Sequence, residues 1–368
     1  MVSHQELYYL LALQRVPNLG NASAKKLIRK LGSPEAVFKE KKHLLERVPG
    51  IGKSKVAFLD KEDNFKKAEK ELEYIIKNNI SYASLHDDTY PEKLKHCIDG
   101  PLLIFYRGNI NLKNKKIISI VGTRKITNYG KKICEQLVEE LSPLNPIIVS
   151  GFAYGSDITA QLAAVKNNLQ TIGCLAHGLN QMYPKTHQKH VSKVEENGGF
   201  ITEFWSSDDI SNISFLKRNR IIAGISQATV VIESAAKGGS LVTANIANSY
   251  NRDVFAFPGK TSDKQSEGCN NLIKTNKAHL LTSAADIVYI LNWELENSPP
   301  KSPQKQLFVE LTSEEKTIYD YLIKNGKQVI DDIALHCGIP SHKAATILLN
   351  LELKGVVQPL PGKLFEAT

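Results

Sequence analysis

Cysteine is scarce and scattered: Cys97, Cys134, Cys174, Cys269 and Cys337 are odd in number and never form a C-x-x-C pair. That spacing supplies neither a disulfide framework nor a cysteine zinc site, and it fits a reducing cytoplasm. Long apolar runs are missing too. No stretch approaches the roughly eighteen apolar residues of a membrane span, and the opening MVSHQE lacks the charged-then-apolar order of a secretion signal. A soluble chain with no membrane partner is expected. Also absent is any G-x-G-x-x-G, the fingerprint that brings a dinucleotide pyrophosphate onto the backbone, so no cofactor is expected. Catalytic groupings are thin. Ser150-Gly151 and Gly155-Ser156 make no G-x-S-x-G elbow, and no nucleophile stands beside a base. His187 and His190, spaced i, i+3, lack an acidic third ligand and read as a surface helix. Glu203 and Glu233 end strands, where capping neighbouring loop N–H groups is the commoner role for a carboxylate.

What is present is ordinary globular material, 42% hydrophobic and 23% charged over 368 residues, enough for two or three domains. The net charge of +9 is unevenly placed: residues 1–70 carry 15 Lys and Arg against 8 Asp and Glu, and residues 305–368 carry 7 against 8. A basic front points to nucleic acid or another acidic surface.

Residues 1–70 show apolar positions at helical spacing, among them Leu7, Leu10 and Leu11, then Leu27, Ile28 and Leu31. They read as a SAM-like helical module. Within it, VPGIGKSKV (Val48 to Val56) resembles a helix-hairpin-helix motif. There Gly50 and Gly52 let the backbone approach a phosphate, and Lys53 and Lys55 add charge, so duplex or backbone contact is the role assigned to them. An earlier partial copy, RVPNLGNASAKKLI, has Asn18 where the first glycine would stand and reads as degenerate.

Residues 71–295 change period. KIISIVG, PIIVSG, QTIGCLA, GGFITEF, ATVVIES, DVFAFPG and AHLLTS are short β-rich runs separated by segments long enough for crossover helices. Runs apolar on both faces with helices between them predict an α/β fold, an extended Rossmann-like, doubly wound, mostly parallel sheet. Residues 296–306, rich in proline, read as a linker. Residues 307–368 predict a winged helix: a helix near Ile318 and Leu322, a turn at Gly338, a helix capped by Ser341, then a Gly/Pro turn.

Ligands of such sheets collect at the C-terminal strand ends. GTRKITNYG offers Gly122, Thr123 and Arg124, a backbone amide, a hydroxyl and a guanidinium that suit a phosphate together. AHGLNQMYPKTH places Lys185 on a turn, and AAKGGSLVTA places Gly239 and Ser240 ahead of a helix. FLKRNRIIAG sets Phe215, Lys217, Arg218, Asn219 and Arg220 directly before an apolar run that looks like the start of a buried helix. Arginine forks suit phosphate, and Phe215 offers a face for a base. Of these cations, Arg218 and Arg220 partly serve the fold, pinned to carboxylates such as Glu203 or Glu233.

In order, IVGTRKITNYG, IVSGFAYGSDITA, GLNQMYP, FLKRNRIIAGIS, GGSLVTA, DVFAFPG and SEGCNNLI closely resemble the DprA/Smf family of bacterial DNA-processing proteins, over about residues 72–290. The resemblance implies single-stranded DNA binding without turnover, dimerisation, and loading of the RecA recombinase during natural transformation on DNA coated by single-strand-binding protein. It assigns DNA contact to Gly122, Thr123, Arg124, Lys185 and Phe215. Departures exist: the usual A-R-G-I-D is here Ala153, Tyr154, Gly155, Ser156, Asp157; the His that commonly follows is Gln161; and Asn212 stands where a basic residue is common. The competing expectation is a Rossmann-type hydrolase of nucleoside monophosphates, whose P-G-G-x-G-T-x-x-E signature this chain lacks.

Overall fold

The computed structural model describes residues 3–113, 115–293, 311–360 and 364–367. The chain divides into two compact units after Glu296. The stretch expected as a linker, residues 296–306, lies outside the described residues.

The larger unit opens with α1 (His4–Gln14), α2 (Asn21–Leu31), α3 (Pro34–Lys39), α4 (Lys42–Leu45), α5 (Lys53–Val56) and α6 (Glu62–Lys77). Ser3 and Ser33 cap α1 and α3 through hydroxyls that accept from the N–H groups of Glu6 and Ala36, each at 3.1 Å. Residues spaced three and four apart close a first core of Leu10, Leu13, Leu27, Ile28, Leu45 and Ile51. The boundary expected at residue 70 falls inside α6. Ala68 and Ile75 on its apolar stripe join Leu7 and Leu11 in a core shared with Phe105, Phe152 and Phe200. The front helices are therefore packed onto the sheet.

The sheet is built from β1 (Ser81–Ser84), α7 (Glu92–Lys95), β2 (Leu103–Gly108), β3 (Ile117–Val121), α8 (Asn128–Leu141), β4 (Ile147–Ser150), α9 (Ser156–Lys166), β5 (Thr171–Cys174), α10 (Val191–Glu196), β6 (Gly198–Thr202), α11 (Asn212–Ile225), β7 (Ala228–Val231), α12 (Gly239–Ser249), β8 (Asp253–Ala256), α13 (Glu267–Lys274), β9 (His279–Leu280) and α14 (Ala284–Ile290). The described strands run in the order β1-β2-β6-β5-β4-β3-β7-β8-β9. From β6 to β9 in that order every pairing is parallel, while β1 and β2 add an antiparallel edge. Alternation sorts the side chains. Ile117, Val121, Ile147 and Val149 pack against Ile221, Ile222 and Ala244 on one face; Ile118, Ile120 and Ile148 meet Leu137, Val138 and Ala164 on the other. Each such burial is worth about 1.5–3 kcal/mol, which explains strands apolar on both sides. Four of the cysteines are buried in this unit, and burial pushes the Cys174 and Cys269 thiols up to about 12.

The smaller unit holds α15 (Ser313–Asn325), β10 (Gln328–Val329), α16 (Ile330–Cys337), α17 (Ser341–Leu353), β11 (Val357–Leu360) and β12 (Leu364–Ala367), with described strands ordered β10-β12-β11. Thr312 and Glu315 form a capping box at α15, and Gly338 ends α16 at φ 66°. Ser341 does not cap α17. Pro340 holds that place at φ −60°, and Ser341, one residue inside the helix, turns its hydroxyl to Asp331 Oδ1 at 3.4 Å. The result is a winged helix-turn-helix around Ile318, Leu322, Ile333, Ile347, Leu348 and Leu351.

Candidate nucleic-acid interface

β3 is flanked by β4 and β7, so the loops after β3 and β7 open the crevice of the sheet's switch point. After β3 the backbone is pinned close to its neighbours. A Cβ at Gly122 would stand 2.3 Å from Ser156 Oγ. The Thr123 N–H donates to Glu233 O at 2.8 Å, and Thr123 O accepts from Ser156 N at 3.1 Å. The Glu233 carboxylate accepts from the Thr127 N–H at 2.8 Å and from its hydroxyl, which fixes Thr127 as the cap of α8. With both ends of the loop held, Arg124 is left exposed on its outer bend.

α11 supplies the opposite wall. Ser211 caps it, accepting from Ser214 N at 3.1 Å, so the helix begins before FLKRNR rather than after it. Asn212, Phe215, Arg218, Asn219 and Ile222, at helical spacing, line one cleft of about 400 Å³ with Gly122, Thr123 and Arg124. The Arg124 guanidinium lies 5.1 Å over the Phe215 ring and that of Arg218 lies 5.8 Å from it. Tyr183 meets the same ring edge-on at 5.7 Å. Tyr183 is itself placed by His177, whose Nε2 accepts the Tyr183 N–H at 3.2 Å while Nδ1 lies 2.8 Å from Gly178 O. Burial lowers the His177 pKa and keeps the ring neutral, as these two bonds require. A cis Tyr183–Pro184 peptide follows, then a short 3-10 turn that starts with exposed Lys185.

The floor comes from the start of α12. Gly238 caps it with no side-chain bond, leaving the first N–H groups of an 11-residue helix open beside exposed Lys237, Gly238 and Gly239. Such a terminus attracts anions. Asn219 Nδ2 donates to Gly239 O at 3.3 Å, and the Ser240 hydroxyl is turned inward, donating to Ser234 Oγ at 2.9 Å. Lys237 was missed in the sequence; only its place before Gly238-Gly239 could have marked it.

The cations of FLKRNR part ways. Arg218 is 3% exposed, donates through Nη1 to Cys174 O at 2.8 Å, and faces buried Asp157 across Gly151. Burial raises the Asp157 pKa; the Arg218 charge and the Gly151 and Ala153 amides oppose that rise. Arg220 donates through Nη2 to the Glu203 carboxylate and through Nη1 to Asp99 O. Arg220 therefore holds the fold at Glu203, as expected for one of the two carboxylates named; Glu233 binds Thr127 instead and pairs with neither arginine. Lys217 is exposed on the other side of α11 and lines a second cleft of about 490 Å³ with Arg15, Asn21 and Glu203. His187 Nδ1 bonds Phe152 O at 3.0 Å, and no cluster fit to hold a metal occurs among the described residues.

In the front module Gly50 takes φ 80°, Gly52 caps α5 without a side-chain bond, and Lys53 is exposed. Lys55 is turned back on its own hairpin, donating to Gly50 O at 2.7 Å. The first hairpin is not degenerate in shape. Asn18 adopts φ 65° and Gly20 caps α2, matching Gly50 and Gly52; asparagine tolerates the left-handed region better than other side chains. Lys343 on α17 pairs with Glu314 at 2.5 Å, and Lys354, just past its end, pairs with Glu315 at 2.7 Å, so both cations are neutralised within the unit.

The profile of the family described as DNA recombination-mediator protein A matches residues 81–292. Those of the DprA winged helix domain and of the SAM-like helix-hairpin-helix tandem match residues 299–363 and 10–57. The chain belongs to the DprA/Smf family of DNA-processing proteins. It is 36% identical to the DNA processing protein DprA of Streptococcus pneumoniae over 205 residues, 56% of this chain and 72% of that protein. The X-ray structure of the DNA processing protein A from the same species superposes with a TM-score of 0.67 at 30% identity, covering 80% of this chain and 99% of that one. The Helicobacter pylori DNA processing protein A, described for its single-stranded DNA binding mode, superposes at 0.53 and 27% identity over 58% of this chain and 98% of its own.

Proposed function

We propose that this chain binds single-stranded DNA without turnover and loads the RecA recombinase onto it during transformation and recombination. It does so as a cytoplasmic homodimer, on strands that single-strand-binding protein has coated and while protecting the incoming DNA. One observation carries the reading: Arg124 lies over Phe215 at 5.1 Å in a cleft whose floor is the uncapped start of α12. A phosphate-binding set beside an aromatic face fits a strand with unpaired bases and fits a duplex poorly, because paired bases present no free face. Asp157, which lines the cleft, and Glu233, buried behind the Arg124 loop, are committed to backbone amides, which supports binding over hydrolysis. The single-strand binding named for the Helicobacter pylori relative supports the same reading.

The test is titration of a short oligothymidine over a salt series, followed by RecA filament formation on strands precoated with single-strand-binding protein. Steep salt dependence, preference for single strands and faster filament growth are expected. Release of free base from nucleoside monophosphates would overturn the non-enzymatic part, and equal affinity for duplex would overturn the rest.

A further inference from the structure

The loop after β4 carries a tyrosine, Tyr154, that none of the contacts above uses. Phe152 is buried with φ 56°, a left-handed conformation that a bulky side chain rarely adopts. Its ring is wedged edge-on between Phe200 and His187 at 4.9 and 5.3 Å, and its carbonyl accepts from His187 Nδ1 at 3.0 Å. Three residues on, Gly155 has φ 74°, and a Cβ there would strike Thr123 O at 2.3 Å and the Arg124 carbonyl carbon at 2.7 Å. The loop is thus pressed against the Arg124 loop and fixed at both ends. Between those two points stands Tyr154, 43% exposed.

Its exposure is not freedom. The Tyr154 ring meets the edge of His187 at 4.9 Å, and its hydroxyl accepts from Thr186 Oγ1 at 2.9 Å, one residue from Lys185. A tyrosine that only filled space would be covered, and one that only decorated the surface would not be held at both its edge and its hydroxyl. An aromatic ring with its orientation locked and part of its surface open, between a guanidinium loop and a lysine turn, is a preorganised stacking surface.

We infer that Tyr154 is a second base platform, taking the nucleobase that neighbours the one on Phe215 while Arg124 and Lys185 hold the phosphates between. This rests on the single-strand reading given above. The platform adds affinity without adding an ionic contact.

The experiment uses the full chain and a labelled oligothymidine titrated across a salt series. Tyr154→Ala should weaken binding by about ten-fold at every salt concentration and leave the slope of log affinity against log salt unchanged. Tyr154→Phe, which keeps the ring and its His187 contact but loses the Thr186 bond, should retain most of the affinity, and Lys185→Ala should flatten the slope by about 0.7. Photocrosslinking with 5-iodouracil in the oligomer should place an adduct on Tyr154. Unaltered affinity in Tyr154→Ala overturns the inference. So does a slope flattened as in Lys185→Ala, because Tyr154 would then only position the lysine. Should Tyr154→Ala melt early, crosslinking decides: adducts on Phe215 or Tyr183 with none on Tyr154 overturn the platform. A parent chain that fails to bind oligothymidine overturns the single-strand reading itself, and the platform with it.

Discussion

Gly151 stands where a side chain would collide with Arg218: a Cβ there would lie 1.9 Å from Nη1 and 2.5 Å from Asp157 Oδ2. The strand end is therefore bare so that two buried charges can face each other under the cleft floor. Gly151→Ala should destabilise the larger unit by about 1–3 kcal/mol, since Arg218 must leave Cys174 O and Asp157 to make way for the methyl group. Thermal melting measures this, and a melt equal to the parent would show that the arginine can move aside.

Arg124 and Phe215 carry different halves of the binding. Arg124→Ala should flatten the salt slope by about 0.7, the share of one phosphate on a single strand. Phe215→Ala should lower affinity about ten-fold with the slope preserved. Oligothymidine titrations at several salt concentrations separate the two, and a double variant binding as tightly as the parent would remove this cleft from the function.

Arg220 behaves oppositely, because its charge is spent on Glu203. Arg220→Ala strands a buried carboxylate and should lower stability by about 3 kcal/mol, with the salt slope of binding unmoved. Burial raises the Glu203 pKa, and Arg220 is the leading force against that rise. An acid whose folded pKa is raised binds its proton better in the fold, so stability falls as pH rises through the folded value. The Arg220→Ala deficit should therefore shrink on acidification, as followed by denaturant unfolding at several pH values.

Lys25 ties α2 to the body through a bond from Nζ to Cys97 O at 2.9 Å, and burial lowers its pKa from 10.5 to about 8. The unfolded chain holds this proton more tightly, so stability should rise with pH between about 8 and 10.5. Below that window the charged amine is a cost. Lys25→Met should raise the unfolding midpoint at neutral pH and abolish the alkaline rise, since Cys97 O still accepts from Gly100 N at 3.1 Å. A rise that persists in Lys25→Met would assign it to another group.

Much of this was legible in the chain itself. Seven apolar runs with crossover segments between them give β3 to β9; for β3 to β8 the reason is that a strand buried on both faces has no polar alternation to hide it, whereas β9 is a short exposed edge. The loops at Gly122-Arg124 and Gly238-Ser240 follow from the switch-point rule. The split of FLKRNR is legible in kind, since Arg218 and Arg220 are expected to serve the fold in part and Arg220 does meet Glu203; which residues share a face is not, because the helix begins earlier than the apolar run suggests. Once Ser211 is the cap, residues 215, 218, 219 and 222 share one stripe, while 217 and 220 fall on another. Tyr154 and Tyr183 were beyond periodicity altogether, since their placement depends on His187 and His177, residues 33 and 6 positions away. Asn18 misled for a different reason: a glycine search tests for a residue, whereas the hairpin needs only a backbone angle.

The cysteines have a practical consequence. Cys97, Cys134, Cys174 and Cys269 are buried, and Cys337 at the end of α16 is partly open. Burial raises the Cys337 thiol as well, so it reacts slowly, but its competitors are sealed. A maleimide dye added to the native chain should thus mark the winged-helix unit alone, giving a fluorescent reporter on that unit without removing any cysteine.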